Sequence, residues 1–437
     1  MRSQYAISRR LQYSVFLAIL FFGLPKIAAA TNICGNISTS TWSTSGSPYV
    51  ITCNSTVTSG STLTINAGVT VKFNSATQLM ISGKLLAVGT SASTILFTSS
   101  SGTPSAGSWR SIYFGSTSTA GSRISYATIS YAGATDLAAL RVDGQSPAFD
   151  HLTINYSSSS GVYVTGTASP TFDTVTVSNC STAGITANQG TATISNSTLS
   201  SNTINGLNVI TGTASITNST ISNNTDYAIG DQTGGHLTYS GLTLSGNGGG
   251  SKNAIGYRGS YLQTSERWNA GIDWVVLTSL TIGVSGHSGF LTIDAGTMVK
   301  FTTGTVIYNQ GGTITAIGTS ASPITFTSNA SSPAAGDWRS IYFTSAAISS
   351  SRISYATISY AGATDPGALY IAGSSPQIDH LTVLNSASSG IFLDGSSPTL
   401  DTVTVSGSAG AGITTNNGTP TISNSTISNN ASYGFNA

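Results

Sequence analysis

Charge is scarce in this 437-residue chain, where Asp, Glu, Lys and Arg together make up 7% of the residues. Glu266 is the single glutamate; the other thirteen acids are all Asp. A formal net charge of +1 spread so thinly excludes the basic footprint that nucleic-acid recognition needs, so no nucleic-acid partner is expected. Cysteine is short as well: Cys34, Cys53 and Cys180 stand in no Cys/His spacing of a zinc site, and no metal is expected. No helical period appears after residue 30, which excludes bundles and coiled coils. Disorder, the usual fate of so polar a composition, is excluded because apolar residues return in strict register.

The one long apolar run is at the start. Arg2, Arg9 and Arg10 precede the apolar stretch 15–24, and Ala28, Ala29 and Ala30 follow as a small-residue cleavage site. Residues 1–30 therefore read as a signal peptide, too short for a membrane span of about 20 residues. Its removal leaves eleven basic residues against fourteen acids, a net −3, and no transmembrane segment in the mature chain. Export, to the medium or the cell surface, permits disulfides, and Cys34 and Cys53 are expected to bridge and pin the first turn. Cys180 is left over.

What is abundant is repetition. FDHLTINYS, FDTVTVSNC, ISNSTLSSN, ITNSTISNN and YSGLTLSGN begin at Phe149, Phe172, Ile194, Ile216 and Tyr239, 22 or 23 residues apart. A fixed period of that length marks a solenoid or related array. Within each repeat, triplets such as Leu152-Thr153-Ile154 alternate apolar and polar, so they are strands with the apolar pair inward. Three short strands per 22 residues, with Gly, Asn and Ser at the corners, describe one coil of a parallel β-helix. Asn202, Asn224 and Asn247 align on successive coils and are expected to form an amide ladder. The fold class is therefore all-β, a right-handed parallel β-helix solenoid of about 22 residues per coil.

A larger repeat lies over the small one. WRSIYF at 109–114 returns at 338–343, and RISYATISYAGATD at 123–136 returns at 352–365, both 229 residues on. The expected organisation is a first β-helix unit at 31–250, a Gly-rich linker at 251–259 and a second unit at 260–437. The second unit ends without a polar cap, so it either continues into further chain or docks end to end on another coil.

Candidate chemistry follows the duplication. Asp150 and Asp173 share a column on consecutive coils, about 4.8 Å apart along the stack, near the spacing of a retaining glycosidase pair. Arg123 lies one coil earlier, Arg110 nearby, and His151 follows Asp150. The second copy repeats the set as Arg352, Asp379 and Asp401, with Arg339 and His380. The bland alternative is a solvated ion pair worth about 0–1 kcal/mol. A second candidate is sugar contact by outward aromatics: Tyr113, Tyr126, Tyr131 and Tyr163, then Tyr342, Tyr355 and Tyr360.

The period, the inward stacks and the corner Asn resemble the right-handed β-helix of the pectin-lyase-like superfamily. LTINAGVTVKF (63–73) and GSWRSIYF (107–114) are similar to segments of secreted bacterial β-helix repeat proteins. The resemblance implies either a non-catalytic surface module or a polysaccharide-cleaving enzyme. Its lyases hold Ca²⁺ with clustered acids, and calcium belongs to this chain only under that alternative; otherwise no cofactor is expected. Its hydrolases carry NTD, DD, GHG and RIK motifs; DD, GHG and RIK are absent here, and the one NTD triplet, at 224–226, stands without them. The leading expectation is an exported, non-catalytic module that presents polar sheet faces to a polysaccharide or cell-surface glycan; a lyase or hydrolase is the alternative.

Overall fold

A computed structural model describes residues 30–437 apart from 233, 285 and 286, so the expected signal peptide lies outside the described residues. The chain winds into an all-β parallel solenoid of about 17 turns with about 23 residues per turn. One coil shows the rule. Thr171–Asp173, Thr176–Ser178 and Ile185–Asn188 are its first, second and third strands, and the next coil lays Thr191–Ser195, Thr198–Ser200 and Leu207–Val209 over them. Phe172 meets Ile194, Val177 meets Leu199 and Ile185 meets Leu207, all of them buried. Burial of each such side chain contributes roughly 1.5–3 kcal/mol, and it comes from the neighbouring coils, so no coil stands alone.

Sharp corners join the strands. The residue between first and second strands is left-handed at 126, 151, 174, 196, 218 and 241, occupied by Tyr, His, Thr, Asn, Asn and Gly, with φ between 47° and 62°. A parallel left-handed column follows the second strand at 131, 156, 179, 201, 223 and 246. Asn and Gly are the residues that take this conformation readily. Tyr126, Tyr131, Tyr355 and Tyr360, expected as outward aromatics, are therefore corner residues.

The asparagine ladder forms inside the stack. Asn202 Nδ2 donates to Asn224 Oδ1 (3.0 Å), Asn224 Nδ2 to Asn247 Oδ1 (2.9 Å), and Asn247 Nδ2 to Asn253 Oδ1 (2.9 Å). Cys180 sits at the foot of this column, its N–H donating to Asn202 Oδ1, and burial pushes its thiol up to about 12. Cys34 and Cys53 form a disulfide between the first two paired strands, with Cα atoms 4.9 Å apart. Trp109 stacks on Phe73 at 3.8 Å, and its counterpart Trp338 stacks on Phe301 at 3.9 Å.

The linker expectation does not hold. Ile255–Tyr257, inside 251–259, is a rung that pairs with Ile229–Asp231 below and Trp274–Val276 above. Gly246, Gly248, Gly249 and Gly250 all have positive φ, and this turn carries the chain from the second strand Thr243–Ser245 directly into the third-strand column. The copies are thus stacked one strand out of phase. The second copy's second-strand column, from Trp274–Val276 through Met298–Phe301, stands on the first copy's third-strand column. Its own third strands begin a separate eight-stranded sheet at Tyr261–Leu262. Thr243–Ser245 has a ladder partner only below among the described residues, and the segment 269–273 passes over it, with Tyr239 donating to the Asn269 carbonyl at 2.8 Å. The first-strand columns come close there, His236–Ser240 beside Ser265–Trp268, with no ladder between them among the described residues.

Candidate functional site

The first-strand column carries the site. Arg123–Ser130 and Ala148–Asn155 each run through a corner, and their ladder sets Ser125 beside Asp150 and Arg123 beside Ala148. Period two points Phe149 inward and Asp150 outward. Arg123 Nε and Arg123 Nη2 both reach Asp150 Oδ1 at 2.8 Å, Ser125 donates to Oδ2 at 2.6 Å, and His151 Nδ1 lies 3.2 Å from Oδ2. The His151 ring stacks on Tyr126, one coil below, at 4.2 Å between centroids. Both rings stand at the left-handed corner, which is why two consecutive corners can bring them face to face.

The second copy builds the same array. Arg352 Nε and Nη2 donate to Asp379 Oδ2 at 3.1 and 2.9 Å, Ser354 donates to Oδ1, and His380 Nδ1 is 3.0 Å from Oδ1. His380 stacks on Tyr355 at 4.0 Å. One coil on, Asp401 accepts from Ser423 (2.6 Å) and Asn424 (2.8 Å), as Asp173 does from Ser195 and Asn196 (both 2.7 Å). Asp379 and Asp401, with Pro376, Ser397 and Thr399, line a shallow hollow of about 370 Å³.

Counting partners separates the roles. An ionised carboxylate offers about four lone-pair sites, and Asp150 has four partners on them. Asp379 is saturated in the same way. Both carboxylates are thus largely taken up in holding their neighbours. Arg123 spends two of its five N–H donors on Asp150 and is half exposed, so about three donors face outward. Burial pushes Asp150 up, but the bonds from Ser125, His151 and Arg123 and the Arg123 charge outweigh it, and the carboxyl lies below its ordinary range. The same balance lowers Asp379. Bonds from Ser195 and Asn196 lower Asp173, and those from Ser423 and Asn424 lower Asp401. A general acid for glycoside cleavage needs a raised carboxyl pKa, and all four are shifted the other way.

Arg110 and Arg339 do not join these arrays. Arg110 is 3.9 Å and Arg141 3.6 Å from Asp136, which also accepts from Ser111 at 2.6 Å; Arg339 pairs with Asp365 at 2.7 Å. Arg141 lies 4.5 Å over the Tyr113 ring, on the outer face of the third sheet. Tyr163 continues that face one coil on, its hydroxyl accepting from Asn188. In the second copy the face becomes an aromatic ladder, Tyr308, Tyr342, Tyr370 and Phe392, with centroids 4.6, 4.0 and 5.5 Å apart. Tyr131 stacks on Tyr156 at the other corner; Tyr360 holds the matching position. Ser125, Ser354 and the ring stacks on Tyr126 and Tyr355 were not expected. Their signal was the spacing Arg-x-Ser-Tyr one coil before Asp-His, legible only once the ladder register is known. Among the described residues, no three His, Cys, Asp or Glu side chains come together to hold a metal ion.

The family described as "Right handed beta helix region" matches residues 110–266, 160–331 and 367–437, more than half of the chain, and "Pectate-lyase like beta helix domain" matches 35–160. No curated protein matches. Among solved structures, the chain is similar to an alginate lyase from Paenibacillus sp. str. FPU-7, at 12% identity over 64% of this chain and 94% of that one (TM-score 0.29). It is similar to the catalytic unit of a GH87 α-1,3-glucanase from Streptomyces thermodiastaticus strain HF3-3, at 14% identity over 91% of this chain (TM-score 0.27), and spans 64% of that chain. It is also similar to a Streptococcus pneumoniae surface protein and adhesin, at 11% identity over 93% and 91% of the two chains (TM-score 0.14). At these identities the likeness is one of fold alone. The inward ladders, the three-strand coils and the family matches agree: the chain belongs to the right-handed β-helix family.

Proposed function

We propose that the chain is an exported, non-catalytic glycan-binding module, with the arrays at Arg123/His151 and Arg352/His380 as its binding sites. The observation that carries this reading is that one array of Arg, Ser, Asp, His and Tyr is built twice with the same bonds, its carboxylate used up in holding the Arg and His. Outward guanidinium N–H groups suit sugar hydroxyls, which accept hydrogen bonds, and a stacked His/Tyr pair offers apolar area with a polar handle. Export rests on the pattern of residues 1–30 and on the Cys34–Cys53 disulfide. No helix of the described residues is long and apolar enough to cross a membrane.

The test is retention and product analysis on one panel: dextran, laminarin, xylan, galactomannan, alginate and polygalacturonate. The proposed function expects at least one to be retained on immobilised protein, with no new reducing or unsaturated ends after prolonged incubation. Release of shortened chains, abolished by Asp150→Ala together with Asp379→Ala, would make the protein a polysaccharide lyase or hydrolase instead.

A further inference from the structure

The two arrays are alike in every bonded partner, and they stand in the same strand position of the coil. Counting ladder by ladder from the third strand of the first array's coil, Ala138–Asp143 gives way to Ser160–Thr165, Ile185–Asn188, Leu207–Val209, Ile229–Asp231 and Ile255–Tyr257. Ile255–Tyr257 pairs with Trp274–Val276, and the ladder then rises through Met298–Phe301 and Ile324–Ser328 to Arg352–Ser359. That is nine steps. At about 4.8 Å per step the arrays are separated by roughly 43 Å along the axis. The slip at the junction ends the first- and second-strand ladders of the first copy among the described residues, and this third one carries on across it.

The spacing is rigid. It is set by stacked coils rather than by a flexible tether, because residues 251–259 form a rung and not a linker. The core is continuous across the junction, where Tyr257, Trp268 and Trp274 pack on one another. Two identical sites at a fixed separation gain nothing from a ligand that reaches only one of them. A repeating polymer longer than that separation presents the same epitope to both, and the second contact becomes intramolecular, with the effective concentration set by reach.

We propose that the protein is a bivalent reader of long-chain polysaccharide: the Arg123/His151 and Arg352/His380 arrays engage one and the same polymer chain, so the ligand class is an extended repeating glycan and not a short oligosaccharide. This rests on the glycan-binding reading given above. It assigns the duplication a purpose, since a single copy would carry the same contacts at the lower, monovalent affinity. It also makes the rung Ile255–Tyr257 at the junction the place where the two copies are held in register.

The experiment takes whichever panel polysaccharide is retained, as the intact polymer and as its purified fragments of up to four sugars. Both are titrated against the full chain, against Arg123→Ala, against Arg352→Ala and against the double variant. The arginines are half-exposed, so their loss leaves the coils packed, and circular dichroism with thermal melts confirms folding. Bivalency expects the polymer to bind the wild-type chain about 100-fold or more tighter than its fragments, the ordinary gain for a linked pair of sites. Either single variant should bring the polymer down to near the fragment affinity, and the double variant should lose both. Equal affinity for polymer and fragments, or a polymer advantage that survives in the single variants, overturns bivalency while leaving the sites intact. Retention by the double variant as strong as by the wild type overturns the assignment of the sites themselves, and failure of every panel member to bind removes both readings.

Discussion

Asp231 is the polar residue this stack has least reason to keep. It ends the strand Ile229–Asp231 at an inward position, with Val209 in register below and Tyr257 above. It is fully buried, and the Gln232 backbone N–H bond to its carboxyl does not offset the loss of water. Glu266, the only glutamate of the chain, is buried beside it, and its Oε2 has no hydrogen-bond partner among the described residues. Burial raises both acids, and each disfavours ionisation of the other. Their folded pKa values thus lie above the unfolded ones, which are about 3.9 for Asp and 4.3 for Glu. The folded chain holds protons that the unfolded chain has released, so stability is full below about pH 4 and falls as pH rises through the folded values. The slope is about 1.4 kcal/mol per pH unit for each proton held, or roughly 3 kcal/mol lost over two units for one proton.

Asp231→Val removes the acid without straining the coil, because the ladder position below is Val209 and the one above Tyr257 is Val276. A buried polar group short of hydrogen bonds costs about 1–3 kcal/mol. The variant is therefore expected to be more stable than the wild type at pH 8 by about that amount, and the difference should shrink toward pH 5. Urea midpoints at pH 5, 6, 7 and 8 measure this, with amide exchange over Ile229–Asp231 and Ile255–Tyr257 locating the effect. A wild-type stability that is flat or rising from pH 5 to 8, or a variant less stable at pH 8, would refute the reasoning.

Two further outcomes follow from the geometry. Asn224→Ala should cost about 1–3 kcal/mol, because it strands the Asn202 amide and breaks a buried ladder, whereas an exposed Asn such as Asn429 should cost less; chemical denaturation decides. Asp150 and Asp379 have lowered folded pKa values, so the stability they contribute is present above about pH 4 and lost as pH falls through those values. Carboxyl NMR titration should place both below free Asp, and a titration at or above the free value would contradict the bonding described.

The repeat read directly from the sequence because every coil must bury the same two or three inward positions; Phe149, Phe172, Ile194 and Ile216 declare the period by themselves. Asp150 over Asp173 was legible for the same reason, since the ladder keeps register. What the sequence hid was anything that depends on which strand of one copy meets which strand of the other. The Gly-rich segment looks like a linker when its glycines are counted, yet their left-handed torsions make the turn that shifts the second copy by one strand. Asp231 was overlooked for a simpler reason: Ile-Gly-Asp hides the alternation that puts the Asp inside. The left-handed corners at Tyr126 and Tyr355 were hidden because nothing local marks a non-glycine residue as left-handed.

The left-handed corner between first and second strands accommodates Tyr, His, Thr, Asn and Gly at one torsion, on successive turns of the same scaffold. Backbone shape and outward chemistry are thus specified by different letters of the sequence. The inward residues and the ladder hold the shape, and the corner letter is free to vary within what that torsion allows. Such a column is a keyboard of equivalent positions 4.8 Å apart or so, where a single substitution alters what the surface offers while the solenoid beneath it stays as it was. The His over Tyr pairs of the two copies are two chords struck on it.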